Sequence, residues 1–241
     1  MSDTHYVLMN DYVSPYQSIN PIGILALEPD TELPVRPNRF NFPFNVKDID
    51  GDEIFWNFNK IEPLLFDYRQ YHGHLVSSKM MELLDGLRLA PHYKKRLNVY
   101  MKGKPVPHDY FYLAFDRGSW HKGVQLDPEQ IFYDVERSTY QLDRDGVILP
   151  SGFIALTPLA SQYDVFQMTN VFYLSRYIVF TAKAKEQLEA VGVKGGKFVP
   201  LQEAFDAALK EGRQKLSDLL PKVKKPIKPW FADVSKKDHQ D

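Results

Sequence analysis

Tyr177-Ile178-Val179-Phe180-Thr181, followed by Ala182 to Ala190 and closed at Gly192, decides the fold class. The first residues are β-branched and aromatic, as a buried strand requires. Thr181 then offers a hydroxyl to the orphan amides of a first helical turn. Ala182–Ala190 is rich in helix formers, and Gly192 is free to close the turn before a second strand at Lys197-Phe198-Val199. Strand, capped helix and strand within two dozen residues exclude an all-helical or an all-β chain. The same order occurs upstream: Leu75-Val76 leads through Ser77 into a helix over 79–84, with Met80, Leu83, Leu84 and Leu87 on one face. Gly86 is positioned to end that helix in the left-handed conformation. Strands that run into capped helices are common, so coincidence is the expectation for this echo.

Moving outward, 97–101 and 110–115 read as strands joined by turn chemistry at 102–107, an antiparallel pair. Further strands are expected over 131–135, 140–142, 147–149, 164–168 and 172–174, with Asp145-Gly146 as a hairpin turn. A helix is expected over 201–220, weakened at Gly212, and a short strand at 6–9. The fold class is therefore α+β: a mostly antiparallel sheet with a few flanking helices. Three segments are expected: a proline-rich acidic entry over 1–70 packed on the main domain, an α+β domain over 71–220, and a basic tail over 221–241.

Composition narrows the function classes. The chain has 241 residues, of which 44% are hydrophobic, no cysteine and a net charge of −1. A chain this long buries roughly 70–75% of its unfolded surface. Without cysteine there is no disulfide framework, thiolate zinc site or cysteine nucleophile. Near-neutrality removes any global attraction to nucleic acid or anionic lipid. Neither a secretory signal nor a run of roughly 18 apolar residues is present, so a cytoplasmic protein is expected, with no membrane partner. Charge is unevenly spread. Residues 1–62 hold ten acids against four bases, while 210–228 hold seven bases against two acids.

Chemistry-bearing patterns are few. His72-Gly73-His74 places two imidazoles on one side of a strand, a usable metal geometry if His92, His108 or His121 completes it. This is the basis of an alternative function, a metal-dependent hydrolase or transferase using His72 and His74. Two loop histidines beside a glycine are the plainer reading. Asp48, Asp50, Asp52 and Glu53 resemble a calcium loop, but position six is Glu53 and position twelve is Asn59, where such a loop needs glycine and a bidentate glutamate. The acids stand instead beside Phe55 and Trp56, and aromatics next to charge suit the centre of a protein interface. No nucleophile elbow, phosphate loop or dinucleotide fingerprint occurs. Gly192 to Lys197 is glycine-rich but follows a helix, whereas a phosphate loop precedes one. The basic tail lacks the interleaved aromatics of a nucleic-acid stacking platform. No catalytic residue, cofactor or metal is expected.

Tyr6-Val7-Leu8, Leu75-Val76-Ser77, Tyr110-Phe111-Tyr112-Leu113, Asp134 to Ser138, and Ile178 to Thr181 leading to Leu188, Gly192, Gly195 and Phe198 occur in an order that resembles one bacterial family. It is the eleventh numbered class of immunity proteins of polymorphic toxin systems, and the forty-third class is similar. The likeness spans most of 70–200; the proline-rich entry and the basic tail depart from it. The resemblance implies a protein without catalysis, made beside a toxin, that binds this cognate toxin and blocks it. On that reading, Asp48, Asp50, Asp52, Glu53, Phe55 and Trp56 are the candidate partner-binding residues.

Overall fold

The computed structural model describes residues 4–13, 23–26, 29, 53–61, 63–71, 73–115, 131–168, 171 and 173–212. In chain order these form β1 (His5–Asn10), β2 (Ile24–Ala26), β3 (Ile54–Phe58), β4 (Tyr68–Gln70), β5 (His74–Ser77), α1 (Ser78–Asp85), β6 (His92–Met101), β7 (Lys104–Pro105) and β8 (Tyr110–Phe115). Then follow β9 (Tyr140–Leu142), β10 (Ile148–Pro150), β11 (Val165–Gln167), β12 (Ile178–Thr181), α2 (Ala182–Ala190), β13 (Gly196–Pro200) and α3 (Ala204–Glu211). One sheet runs β2-β3-β6-β8-β5-β4, with β7 also on β6, and a second runs β11-β12-β1-β13. Among the strand pairings only β3–β6 is parallel. The chain is α+β, as the sequence indicates.

Alternation along the strands divides the apolar residues between two cores. On β8, Leu113 and Phe115 join Val76, Met80, Phe166, Val179 and Leu188 between the sheets and helices. Tyr110, Tyr112 and Ala114 face the other way, toward Ile54, Trp56, Leu97 and Val99.

Several local expectations are corrected. Gly86 caps α1 at φ −84°, a right-handed conformation, whereas Gly192 takes φ +68°. β6 begins at His92, and its first half pairs with β8 while its second half pairs with β3 and β7. Residues 131–135 contribute only the bridge Tyr133–Leu156, and Leu174 lies in a 3-10 turn because its neighbourhood closes on itself through the Tyr177 amide and Leu174 carbonyl. The 201–220 helix resolves into a 3-10 turn at Leu201–Glu203 and α3, which ends at Gly212. Residues 213–220 lie outside the described residues.

The upstream echo is not coincidence. β4-β5-β8-β6 and β11-β12-β1-β13 are both antiparallel throughout, and their registers superpose without a slip when Ser77 is set on Thr181. Ser77 faces Tyr110 as Thr181 faces His5, and His92 faces Phe115 as Gly196 faces Asn10. The connecting hydrogen bonds match as well. Ser77 N donates to Asp67 O (2.9 Å) and Thr181 N to Asp164 O (3.0 Å); Ser78 N donates to Asp109 O and Ala182 N to Thr4 O, both at 3.0 Å. Ser77 Oγ accepts from Met80 N, and Thr181 Oγ1 from Ala184 N, both at 3.3 Å. The described residues thus contain two copies of one β-β-α-β-β unit, of which the second takes its last strand, β1, from nearer the start of the chain.

The copies clasp each other reciprocally. The loop leaving α2 offers Lys194 O to the amides of Asp67 and Tyr68 (2.8 and 3.1 Å), and Lys194 N donates to Asp67 Oδ2 (2.9 Å). The loop leaving α1 offers Arg88 O to the amides of Asp164 and Val165 (2.7 and 3.2 Å), and Arg88 N donates to Asp164 Oδ2 (3.0 Å).

Candidate functional site

Of the acidic–aromatic patch, Asp48, Asp50 and Asp52 lie outside the described residues. Glu53 is exposed immediately before β3. Because side chains alternate across a strand, Ile54, Trp56 and Phe58 go into the second core while Phe55 turns to the opposite face. There Phe55 meets Tyr100 edge-on, with ring centroids 5.8 Å apart. The Trp56 ring is 0% exposed, packed against Phe58, Phe66 and Tyr110, so it is not at the surface. On the adjoining stretch of β6, Lys94 pairs with Asp85 at 2.7 Å and Arg96 with Asp109.

Of the histidine pair, His72 lies outside the described residues. His74 is buried in β5, its Nδ1 3.1 Å from the Tyr68 hydroxyl. Among the described residues no three His, Asp or Glu side chains stand close enough to hold a metal ion.

A polar cluster that the sequence reading passed over gathers where β1, at the centre of the second sheet, passes β4, at the edge of the first. Asn10 Nδ2 donates to Gln70 O (3.2 Å) and to the Tyr12 hydroxyl (2.8 Å), while its Oδ1 accepts from Gln70 N (2.8 Å). The Asn10 side chain therefore substitutes for a ladder bond between strands of different sheets. Tyr68 hydroxyl donates to Leu8 O at 3.4 Å, and Tyr177 hydroxyl to Glu211 Oε2 at 2.9 Å. Burial raises the pKa of both phenols, and for Tyr177 the nearby Glu211 carboxylate adds to the effect. Arg69, 2% exposed, lies with its guanidinium 6.0 Å from the Phe66 ring centroid. Burial lowers its pKa, opposed by the phenols of Tyr12 and Tyr71. The signal that points here is the repeated Asp-x-x-Gln, Asp67-Tyr68-Arg69-Gln70 against Asp164-Val165-Phe166-Gln167, which starts each copy.

A family model described as Immunity protein 43 matches residues 34–208. It is the second of the two classes that the sequence resembles. No curated protein matches the chain.

Proposed function

The chain belongs to the immunity protein 43 family, and from that premise we propose that it neutralises a cognate toxin by binding it, in the cytoplasm and without catalysis of its own. The family match over residues 34–208 carries the reading. A two-copy scaffold joined by reciprocal hydrogen bonds and a shared core supports it, because an inhibitor that meets its target preformed loses little conformational entropy on docking. No described helix is long and apolar enough to cross a membrane. No observation favours the metal-dependent hydrolase or transferase, since His74 Nδ1 is engaged with Tyr68.

The contact surface in this proposal includes the acidic run Asp48, Asp50, Asp52 and Glu53 together with Phe55. Trp56 supports it from beneath, as a core residue. Titrating the purified chain into the toxin encoded beside it is the direct test: a complex of micromolar affinity or tighter is expected, and no detectable heat at that concentration defeats the reading. Reversing charge at Asp50, Asp52 and Glu53 is expected to slow association and to flatten its dependence on salt, because exposed charges act mainly on encounter. An unchanged association rate removes that patch from the interface.

A further inference from the structure

The duplication supplies an internal control for the polar cluster. Register sets Arg69 on Phe166, His74 on Ile178 and Asn10 on Phe115. All six are buried. Phe166 and Ile178 in the second copy, and Phe115 in the first, show that the fold is satisfied by an apolar side chain at each place. Asn10 and His74 are at least answered by hydrogen bonds to Gln70, Tyr12 and Tyr68. Arg69 is not. Its Nε has no hydrogen-bond partner, and among the described residues no carboxylate lies within ion-pair distance. A cation withdrawn from water without a counter-charge destabilises the fold that holds it.

Tyr12 and Tyr71 lie near enough to this guanidinium to oppose the lowering of its pKa. Burial raises the pKa of both phenols, however, so they stay neutral and supply no counter-charge. Tyr12 extends from the cluster to the surface, where it is 38% exposed, and its neighbour Val13 is 91% exposed. An arginine ringed by aromatics, with an apolar rim, is the composition at which binding energy concentrates in protein interfaces.

We infer that Arg69, flanked by Tyr12 and Tyr71, is the receptor for a carboxylate of the partner protein, an Asp or Glu side chain that docks beside Tyr12 and Val13. A single planar guanidinium matches the planar, singly charged carboxylate in geometry and charge. One cation and two phenols leave a phosphate dianion half-neutralised. The inference rests on the proposed toxin-binding role for the identity of the partner, but not for the chemistry of the receptor.

The experiment compares wild type with Arg69→Met, which keeps the apolar stem over Phe66 and removes the charge. Without any partner, the variant is expected to melt at the same temperature as wild type or a few degrees higher. Glutarate is expected to raise the midpoint of wild type relative to chloride at equal ionic strength, and to leave the variant unmoved. Toxin affinity is expected to fall about tenfold or more in the variant. A variant that melts several degrees lower overturns the proposal, because the charge then has a structural partner. So does a glutarate shift that is absent or common to both proteins, or a shift given by inorganic phosphate and not by glutarate. Unchanged toxin affinity with a glutarate shift specific to wild type overturns the assignment to the partner's carboxylate and leaves a small-anion site. If wild type itself fails to bind the toxin, the proposed function falls, and the glutarate comparison still decides whether Arg69 receives carboxylates.

Discussion

Ser77 and Thr181 occupy equivalent N-caps with nearly identical backbone angles, φ −66° and ψ 158° against φ −67° and ψ 159°. They differ in load. Ser77 Oγ also donates to Asp67 Oδ1 at 2.7 Å, while among the described residues Thr181 Oγ1 meets no corresponding acid. Thr181→Ala is therefore expected to cost about 1 kcal/mol, the usual worth of a cap. Ser77→Ala is expected to cost about twice that, because it also takes a donor from a largely buried carboxylate. Urea denaturation of the two variants checks this, and equal losses would show that the Asp67 bond adds nothing. At Asp164 the issue is pH. The fork of Arg88 donates to both carboxylate oxygens, at 3.0 and 2.9 Å, and holds this group below its ordinary value of 3.8. A carboxyl whose folded pKa is depressed adds stability above its unfolded pKa and loses that contribution as the pH falls toward the folded one. Asp164→Asn is thus expected to be less stable than wild type at neutral pH, with the gap closing in acid. A gap that stays constant from pH 7 to pH 2 contradicts the linkage.

Among the elements, α1 and α2 were legible from sequence because a cap and an apolar face are local properties, fixed within four or five residues. The start of β6 was not, because His92, Lys94, Lys95 and Arg96 read as a solvated run until β8 is placed beside them. Nothing local in β3 announces that it runs parallel to β6. Trp56 is a different case. Ile54, Trp56 and Phe58 recur with period two, which assigns them to one buried face whatever acids precede them. The polar cluster was hidden for a third reason: its members come from three separate stretches of chain, and only the register unites them. β1 shows most plainly how little a strand reveals about its partners. Its four apolar residues gave a strand, but its place between β12 and β13, in the position that β8 holds in the other copy, is a property of the whole chain. The displaced strand makes a prediction at this scale. A chain lacking residues 1–13 leaves β12 and β13 without their shared neighbour and is expected to lose its cooperative unfolding transition. A synthetic peptide of residues 1–13 added in excess is expected to restore it, as a strand supplied from outside completes a sheet. A truncated chain that unfolds as cooperatively as the parent shows that β1 is dispensable.

At the level of the whole molecule, the reciprocal clasps make two copies behave as one. Each copy's helix exit is held by the other copy's hairpin, so neither can open without surrendering amide and carboxylate bonds of its own. Shared burial in the first core acts in the same direction, since Val76 and Leu113 of one copy pack with Val179 and Leu188 of the other. A single two-state transition follows for the parent protein. Trp56 gives a local reporter, because it sits wholly in the second core on the first sheet, and the other two tryptophans, Trp120 and Trp230, can be replaced by phenylalanine. In that background the fluorescence of Trp56 and the far-ultraviolet dichroism of the whole chain are expected to report the same urea midpoint. Asp67→Ala removes the acceptor for Lys194 N and for Ser77 Oγ, and Asp164→Ala removes both the acceptor for Arg88 N and the Arg88 fork. Each loss is expected to cost about 1–3 kcal/mol, the penalty for leaving partners unsatisfied. The informative protein is the one that carries both substitutions. With both carboxylates gone, each clasp is reduced to its carbonyl–amide bonds, while the Trp56 core keeps all of its own side chains. The dichroism midpoint is then expected to fall below that of Trp56 fluorescence. Coincident midpoints in the doubly substituted chain mean that the shared core alone enforces cooperativity, and that the clasps only position the two copies.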